Sequence, residues 1–284
     1  MTVRSTLIET TRKLAAAGIS TARLDAEVLL AFCLGCDRVE FIKNPERTLS
    51  AEQLAVFKSM VARRSRFEPV AYITGQKAFW SFTLEVSPDV LIPRPDTEVI
   101  VEEALAVCRA EGFHRPRILD IGTGSGAIAL ALAKEIPDAV IIATDISPAA
   151  LAVAEKNARR LGLEHSIVFY ESDLFAKVPG AFDIIVSNPP YIGDEEYETL
   201  AAGVKDFEPK LALRAGQTGV EFYEKLIYQA HSRLKENGWL LLEIGAKQGQ
   251  SVQAIMAANT GFYDRIDVRT DYAGLSRVIK GRRK

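Results

Sequence analysis

Two short stretches of this 284-residue chain combine residue types that can do chemistry together. The first is Asn188-Pro189-Pro190-Tyr191, which directly follows the apolar run Phe182-Asp-Ile-Ile-Val-Ser187. A residue before proline is held extended, and Pro189 has a fixed φ, so this backbone is rigid and its carbonyls point in set directions. The Asn188 side-chain oxygen and the Pro189 carbonyl can then accept the two hydrogens of one –NH2 group, while Tyr191 stacks on the flat group that carries it. A planar amide or aryl amine is a poor nucleophile because its lone pair is delocalised. Two fixed acceptors concentrate charge on the nitrogen and aim it at an electrophilic carbon, combining positioning with preorganised electrostatics. No strong base is required, since the proton becomes acidic only once the nitrogen is alkylated. The bland alternative is a proline turn leaving a strand.

The second stretch is Asp120-Ile-Gly122-Thr123-Gly124-Ser125-Gly126, between a predicted strand and a predicted helix. Glycines there let the backbone come close to a ligand, and the helix N-terminus offers unpaired N–H groups. Asp145 ends the next strand, where a carboxylate can accept from ribose hydroxyls. The loop alone does not choose the ligand: Gly122, Gly124 and Ala127 also satisfy a dinucleotide fingerprint, so a nicotinamide dehydrogenase competes. Asp120, however, would repel an anionic pyrophosphate and suit the cationic amino-acid end of S-adenosylmethionine. Asp173, in Ser172-Asp173-Leu174-Phe175, can accept from an adenine amino group. A hydride-transfer enzyme has no use for the paired acceptors at Asn188 and Pro189. Methyl transfer to a planar nitrogen uses both stretches.

The elements needed to position these residues are visible in the periodicity. The chain begins with helical spacing (Leu7, Leu14, Ala15, then Leu24, Val28, Leu29, Phe32), followed by a helix over 50–66 with a capping box of Ser50 and Gln53. From Ala78 the period changes to two, predicting a hairpin around Pro88-Asp89, and Pro93-Arg94-Pro95 then stiffens the chain. Beyond Arg117, strands at 118–121, 139–144, 167–170, 182–187 and 239–244 alternate with helices, one of them over 220–235 and ended by Asn237-Gly238. Such alternation predicts an α/β fold with a mainly parallel sheet covered on both faces. Two closing strands are expected at 266–268 and 277–279. The expected division is a helical bundle over 1–77, a hairpin linker over 78–98 and a catalytic domain over 99–284.

Composition narrows the class. A 48% hydrophobic and 25% charged chain is globular, and at this length it can bury about three quarters of its unfolded surface without staples. Thirty-five basic against 37 acidic residues, a net charge of −2, is a poor footprint for gripping a nucleic-acid backbone, so no direct nucleic-acid partner is expected. Three cysteines, an acidic Glu9 near the start and the lack of a long apolar run predict a cytoplasmic protein with no membrane contact. A monomer is expected.

Together these residues resemble class I methyltransferases acting on planar amino groups, and three further stretches narrow the resemblance. Pro69-Val-Ala-Tyr-Ile-Thr-Gly75, Leu91-Ile-Pro-Arg-Pro-Asp-Thr-Glu98 and Phe207-Glu-Pro-Lys-Leu-Ala-Leu213 look like the HemK/PrmC family, which methylates the glutamine of the Gly-Gly-Gln loop in peptide chain release factors. Asp96 stands where that family usually has glutamate. The resemblance covers nearly the whole chain. It implies a Rossmann-like seven-stranded sheet with a small N-terminal helical domain that docks the release factor. It also implies cofactor contacts from Asp120, Gly122, Thr123, Gly124, Ser125, Gly126, Asp145, Asp173, Leu174 and Asn188, and glutamine binding by Asn188, Pro189, Pro190 and Tyr191. No metal is implied. A nucleic-acid amine methyltransferase stays open beside it, because exocyclic adenine or guanine amines present the same geometry.

Other signals are expected to be structural. Cys33-Leu-Gly-Cys36 has no second pair to complete a zinc site and reads as a helix end. The scattered His114, His165 and His231 are given no catalytic work. Arg63-Arg64-Ser65-Arg66 is expected as a solvated helix face, and Gly281-Arg-Arg-Lys284 as a frayed tail.

Overall fold

A computed structural model of the chain describes residues 1–259 and 261–284. It divides into two compact units, Met1–Gln76 with Ala201–Phe207, and Lys77–Leu200 with Glu208–Lys284. The return of 201–207 to the N-terminal unit has no counterpart in the sequence patterning.

The N-terminal unit is helical, with principal helices at Val3–Ala16, Ala22–Leu34 and Ala51–Arg64. Their shared core is Leu14, Ala26, Leu29, Leu30, Phe57 and Val61. The capping box at Ser50 forms as expected: Gln53 N donates to Ser50 Oγ at 3.1 Å and Ser50 N donates to Gln53 Oε1 at 3.0 Å. Leu24 and Phe32 face outward, because the buried face of the second helix runs through Asp25, Ala26, Leu29 and Leu30 instead. The arginine run is not a free solvated face. Arg64 Nε reaches the buried Asp25 at 2.7 Å, and Arg63 pairs with Glu68 at 2.5 Å.

The second unit is built on a seven-stranded sheet. Its strands are β1 (Arg117–Ile121), β2 (Val140–Asp145), β3 (Ile167–Glu171), β4 (Phe182–Ser187), β5 (Leu234–Glu243), β6 (Tyr263–Thr270) and β7 (Ser276–Arg283). The spatial order is β6-β7-β5-β4-β1-β2-β3. β7 runs antiparallel to β5 and β6, and the remaining pairs are parallel. Both faces are covered, as the near-continuous apolar strands demand. Ile118, Ile184, Val186 and Leu241 enter one core, while Leu119, Ile121, Ile185 and Leu242 enter the other.

This order fixes where a ligand belongs. β1 and β4 are adjacent, with Ile121 level with Ser187, and the chain leaves β1 toward β2 on one side and β4 on the other. Open α/β sheets bind ligands outside the carboxyl ends of their strands at such a switch point. The glycine loop follows β1 and Asn188 follows β4, so topology brings both stretches to one crevice.

Several expectations need correction. The hairpin turns at Trp80-Ser81, between strands Gln76–Phe79 and Phe82–Glu85, and not around Pro88-Asp89. Trp80 supplies the left-handed residue that the turn needs, with φ 53°. Phe79 and Leu84 pack into the core of the second unit, so the hairpin belongs to that unit by its burial. The helix expected over 220–235 ends at Ala230, and Asn237-Gly238 lies inside β5. Asn237 has φ 61° there and the pairing of β4 with β5 slips between Phe182 and Ile184, so the helix-stop signal serves a bulge. The C-terminal tail is not frayed: Arg282 pairs with Asp264 at 2.7 Å as part of β7.

Candidate active site

A cavity of about 860 Å³ opens at the ends of β1, β2 and β4. Gly122, Thr123, Gly124, Ser125, Asp145, Asp173, Leu174, Asn188, Pro189 and Pro190 all line it. One wall comes from Val90, Leu91, Pro93 and Thr97, to which no site role was expected to fall. The wall is anchored by Glu208, which is buried and accepts from Ile92 N at 3.1 Å and from Arg94 Nη2 at 2.5 Å. Two of the family-like stretches, 91–98 and 207–213, are thus tied together by one buried carboxylate.

The glycine loop is shaped by its own φ angles and by polar ties behind it. Gly124 has φ 54° with open space where a Cβ would stand, so nothing comes between its backbone and the cavity. Gly126 serves packing instead. A Cβ there would meet Leu130 at 2.9 Å and Ala154 at 3.3 Å, so the bare glycine lets the following helix Ala127–Glu135 pack closely. Asn157, buried on the helix Pro148–Leu161, donates to Ser125 O and Glu85 O, both at 3.0 Å, and accepts from Glu85 N at 2.7 Å. That one amide joins the loop to the hairpin. Ser187 Oγ donates to Ile121 O at 2.7 Å and locks the ends of β4 and β1.

Asp145 lines the cavity and holds the loop at the same time, accepting from Gly124 N and from Ser147 N, each at 2.9 Å. Burial raises its carboxyl above the ordinary range, against the hydrogen bonds from Ser147 and Gly124. Asp120 is not on the cavity wall. It lies fully buried under the loop, where Oδ2 accepts from Thr123 Oγ1 at 2.7 Å and Oδ1 has no partner. Burial pushes its carboxyl up to about 7.

Asn188 sits at the cavity with its Nδ2 donating to Thr97 Oγ1 at 3.3 Å, which leaves Oδ1 as the acceptor of that amide. Tyr191, expected to stack on the amide plane, is not among the lining residues: its ring packs against the core beside Gly245, and burial pushes its hydroxyl up to about 12. Its carbonyl is gripped by Gln248. Gln248 Nε2 donates to Tyr191 O at 2.9 Å and Gly219 O at 3.1 Å, while Oε1 accepts from Gly245 N at 3.0 Å and Tyr223 Oη at 3.3 Å. Tyr223 divides its one hydroxyl hydrogen between Gln248 Oε1 and Glu243 O at 3.1 Å, and the other three positions of the amide are fully used, so it braces the tetrapeptide from behind. No motif marks Gln248 or Asn157 in the sequence, and Thr97 and Glu208, though inside the family-like stretches 91–98 and 207–213, were given no role there, since each acts through a partner far along the chain.

Known proteins similar to this chain identify its family. A family model for the PrmC N-terminal domain matches residues 5–75, and one for the methyltransferase small domain matches 101–205. The release factor glutamine methyltransferase of Geobacter sulfurreducens is 43% identical over 99% of this chain and 96% of its own length. That of Koribacter versatilis is 43% identical over 100% of this chain and 99% of its own. Among solved structures, the hMettl16 catalytic domain in complex with MAT2A 3'UTR hairpin 6 has a TM-score of 0.57, at 16% identity over 82% of each chain. A methyltransferase from Pyrococcus furiosus has a TM-score of 0.51 at 20% identity, covering 82% of this chain and 98% of that one. These two share the fold; the full-length sequence relatives carry more. The chain belongs to the release factor glutamine methyltransferase family.

Proposed function

We propose that the chain transfers a methyl group from S-adenosylmethionine to the side-chain amide nitrogen of the glutamine in the Gly-Gly-Gln motif of peptide chain release factors. The observation that carries this reading is the meeting of Asn188-Pro189 with the glycine loop and Asp145 on one cavity. The residues present suit S-adenosylmethionine. Gly124 leaves its backbone open to the cavity, Asp145 on its wall would accept from the ribose hydroxyls, and Asp173 and Leu174 on the same wall would hold the adenine. The orphaned Asp120 Oδ1 under the loop is a buried acceptor suited to the pull of an ammonium group. When bound, S-adenosylmethionine supplies an electrophilic methyl on a positively charged sulfur.

The chain's own work is on the amide. Asn188 Oδ1 and the Pro189 carbonyl accept its two hydrogens, which holds the nitrogen in one place and raises its electron density. The proline pair keeps these acceptors from relaxing. Apolar walls from Leu91, Pro93, Pro189 and Pro190 shed water from the amide. Tyr191 secures the end of the tetrapeptide through its half-buried ring and its Gln248-bound carbonyl. The N-terminal helical unit docks the release factor, and the enzyme works as a monomer in the cytoplasm. No helix among the described residues is long and apolar enough to cross a membrane.

The test is methyl transfer from labelled S-adenosylmethionine to a release factor and to its Gln→Ala loop variant. Label on the intact factor alone is the expected result. Label on neither, with cofactor binding demonstrated, would overturn the reading and favour an RNA or DNA amine as acceptor.

A further inference from the structure

Two walls flank Asn188-Pro189-Pro190. One is the segment 90–97, of which Val90, Leu91 and Pro93 line the cavity and Thr97 Oγ1 accepts from Asn188 Nδ2 at 3.3 Å. The other is the segment 209–212, of which Pro209, Leu211 and Ala212 line the same cavity. Its place is fixed by the strand Arg214–Gly216, which pairs in parallel with Ile192–Gly193, directly after Tyr191. Ile192 stands level with Arg214, so the chain entering that strand runs alongside the tetrapeptide.

Glu208 joins the two walls. It is 4% exposed and stands immediately before Pro209. Its Oε2 accepts from Ile92 N at 3.1 Å and its Oε1 from Arg94 Nη2 at 2.5 Å. Both carboxylate oxygens are spent on the first wall, while the backbone of Glu208 begins the second. A carboxylate gripped by a backbone N–H and a guanidinium together cannot swing, and burial strengthens both bonds. Pro93 and Pro209 stiffen the chain on either side of the contact. The ties close a ring that runs from Asn188 to Thr97, along 90–97 to Glu208, along 209–212 to Arg214, and back beside Ile192. We infer that Glu208, paired with Arg94, is a positioning residue that holds the two walls closed around the acceptor's amide and so sets the affinity for the acceptor.

Closure has a chemical use. An amide must give up water to meet Asn188 Oδ1 and the Pro189 carbonyl, and Leu91, Pro93 and Leu211 shed that water only when held around it. The effect falls on the acceptor and not on the cofactor, because the ring includes neither the glycine loop nor Asp145. The inference rests on the methyl-transfer reading for the identity of the acceptor, not for the closure itself.

The experiment compares Glu208→Gln, Arg94→Met and the double variant with the wild type. Four readouts are taken: S-adenosylmethionine affinity, kcat and KM on a release factor, Tm, and backbone hydrogen exchange read by peptide. Glu208→Gln keeps the shape, but its single acceptor oxygen cannot serve both Ile92 N and Arg94. Arg94→Met keeps the length and leaves the buried carboxylate without its cation. Each single variant is expected to raise KM by about tenfold, with kcat within about threefold and cofactor affinity unchanged. Exchange should quicken about tenfold in peptides covering 90–97 and 209–212 and hold at the wild-type rate over 122–126. The double variant should raise KM no further than either single one, since both break the same tie. Its Tm should recover above that of Arg94→Met, because the unpaired buried charge is gone. A merely structural role would make KM follow Tm. The inference is overturned if KM recovers with Tm in the double variant, if cofactor affinity falls as far as KM rises, or if exchange over 90–97 ignores both substitutions. Exchange needs no methyl transfer. If the wild type left a release factor unlabelled while 90–97 and 209–212 loosened together, the acceptor would be wrong and the closure would stand.

Discussion

The two sides of the cavity are built by opposite means. On the cofactor side the loop from Gly122 to Gly126 is backbone, shaped by positive φ angles and held by neighbours such as Asp145, whose carboxylate accepts from Gly124 N at 2.9 Å. On the acceptor side the backbone of Asn188-Pro189-Pro190 is rigid by itself, but its side chain is tied to Thr97 and its exit at Tyr191 to Gln248. A side made of backbone tolerates change behind it and little change within it. A side made of braced side chains should be damaged from a distance. The comparison can be broken by variants that act on one side and leave the other intact.

The largest expected effect is at Asn188 itself. Asn188→Ala should cost about 2–4 kcal/mol of transition-state stabilisation, roughly 30- to 1,000-fold in kcat, with cofactor affinity changed far less. The check is kcat on a release factor beside a calorimetric titration with S-adenosylmethionine. Full activity in this variant would remove the paired-acceptor mechanism altogether.

The matching break on the cofactor side is Gly124→Val. A β-branched residue at φ 54° is strained by about 1–3 kcal/mol, and its side chain would enter the space that the bare glycine leaves open. Cofactor affinity should fall by about 10- to 100-fold, with kcat at saturating cofactor nearer the wild type. Equal losses in both quantities would mean that the two sides are not separable.

Gln248→Leu tests damage from a distance. It leaves Tyr191 O and Gly219 O without their donor, at about 1–3 kcal/mol of stability, which thermal unfolding reads. With the brace gone, kcat should fall about tenfold while cofactor affinity holds. A variant that lost stability and kept kcat would show that the tetrapeptide is rigid enough through its prolines alone.

The same contrast explains what the sequence could and could not tell. Strand–loop–strand order was readable because β1 and β4 are continuous apolar runs ended by glycine or proline, and switch-point topology places whatever follows them. The lining residues from 122 to 125 and from 188 to 190 followed directly from that. The roles of Thr97, Gln248, Asn157 and Glu208 did not, even where the residue lay in a family-like stretch, because each binds a partner 29 to 116 positions away in sequence, a distance over which local pattern is silent. Asp120 and Tyr191 were assigned to the ligand by residue type. The structure sets them one layer back: Asp120 lies in β1 with its side chain buried under the loop, and Tyr191, four residues beyond β4, packs its ring against the core. Asn237-Gly238 misled for a related reason: a left-handed residue ends helices and also makes bulges, and only the pairing of β4 with β5 decides between them.

The smallest effect is predicted at Asp120, and it asks whether the cofactor side has any distant brace of its own. Burial holds its carboxyl protonated up to about pH 7, whereas in the unfolded chain it ionises near 4. A carboxyl raised in the folded state contributes stability that is complete below about pH 4 and lost as pH climbs to about 7. Asp120→Asn cannot ionise, so the Tm of the cofactor-free wild type should fall relative to this variant between pH 5 and pH 8. Cofactor affinity should move the other way. An ionised Asp120 attracts an ammonium group from beneath the loop, so wild-type affinity should weaken as pH drops below about 7, by a factor of a few, while Asp120→Asn stays flat. Thr123 keeps an acceptor in either protein, which preserves the loop and isolates the charge. A flat wild-type profile would make Asp120 a purely structural residue and leave the cofactor side built of backbone and Asp145 alone.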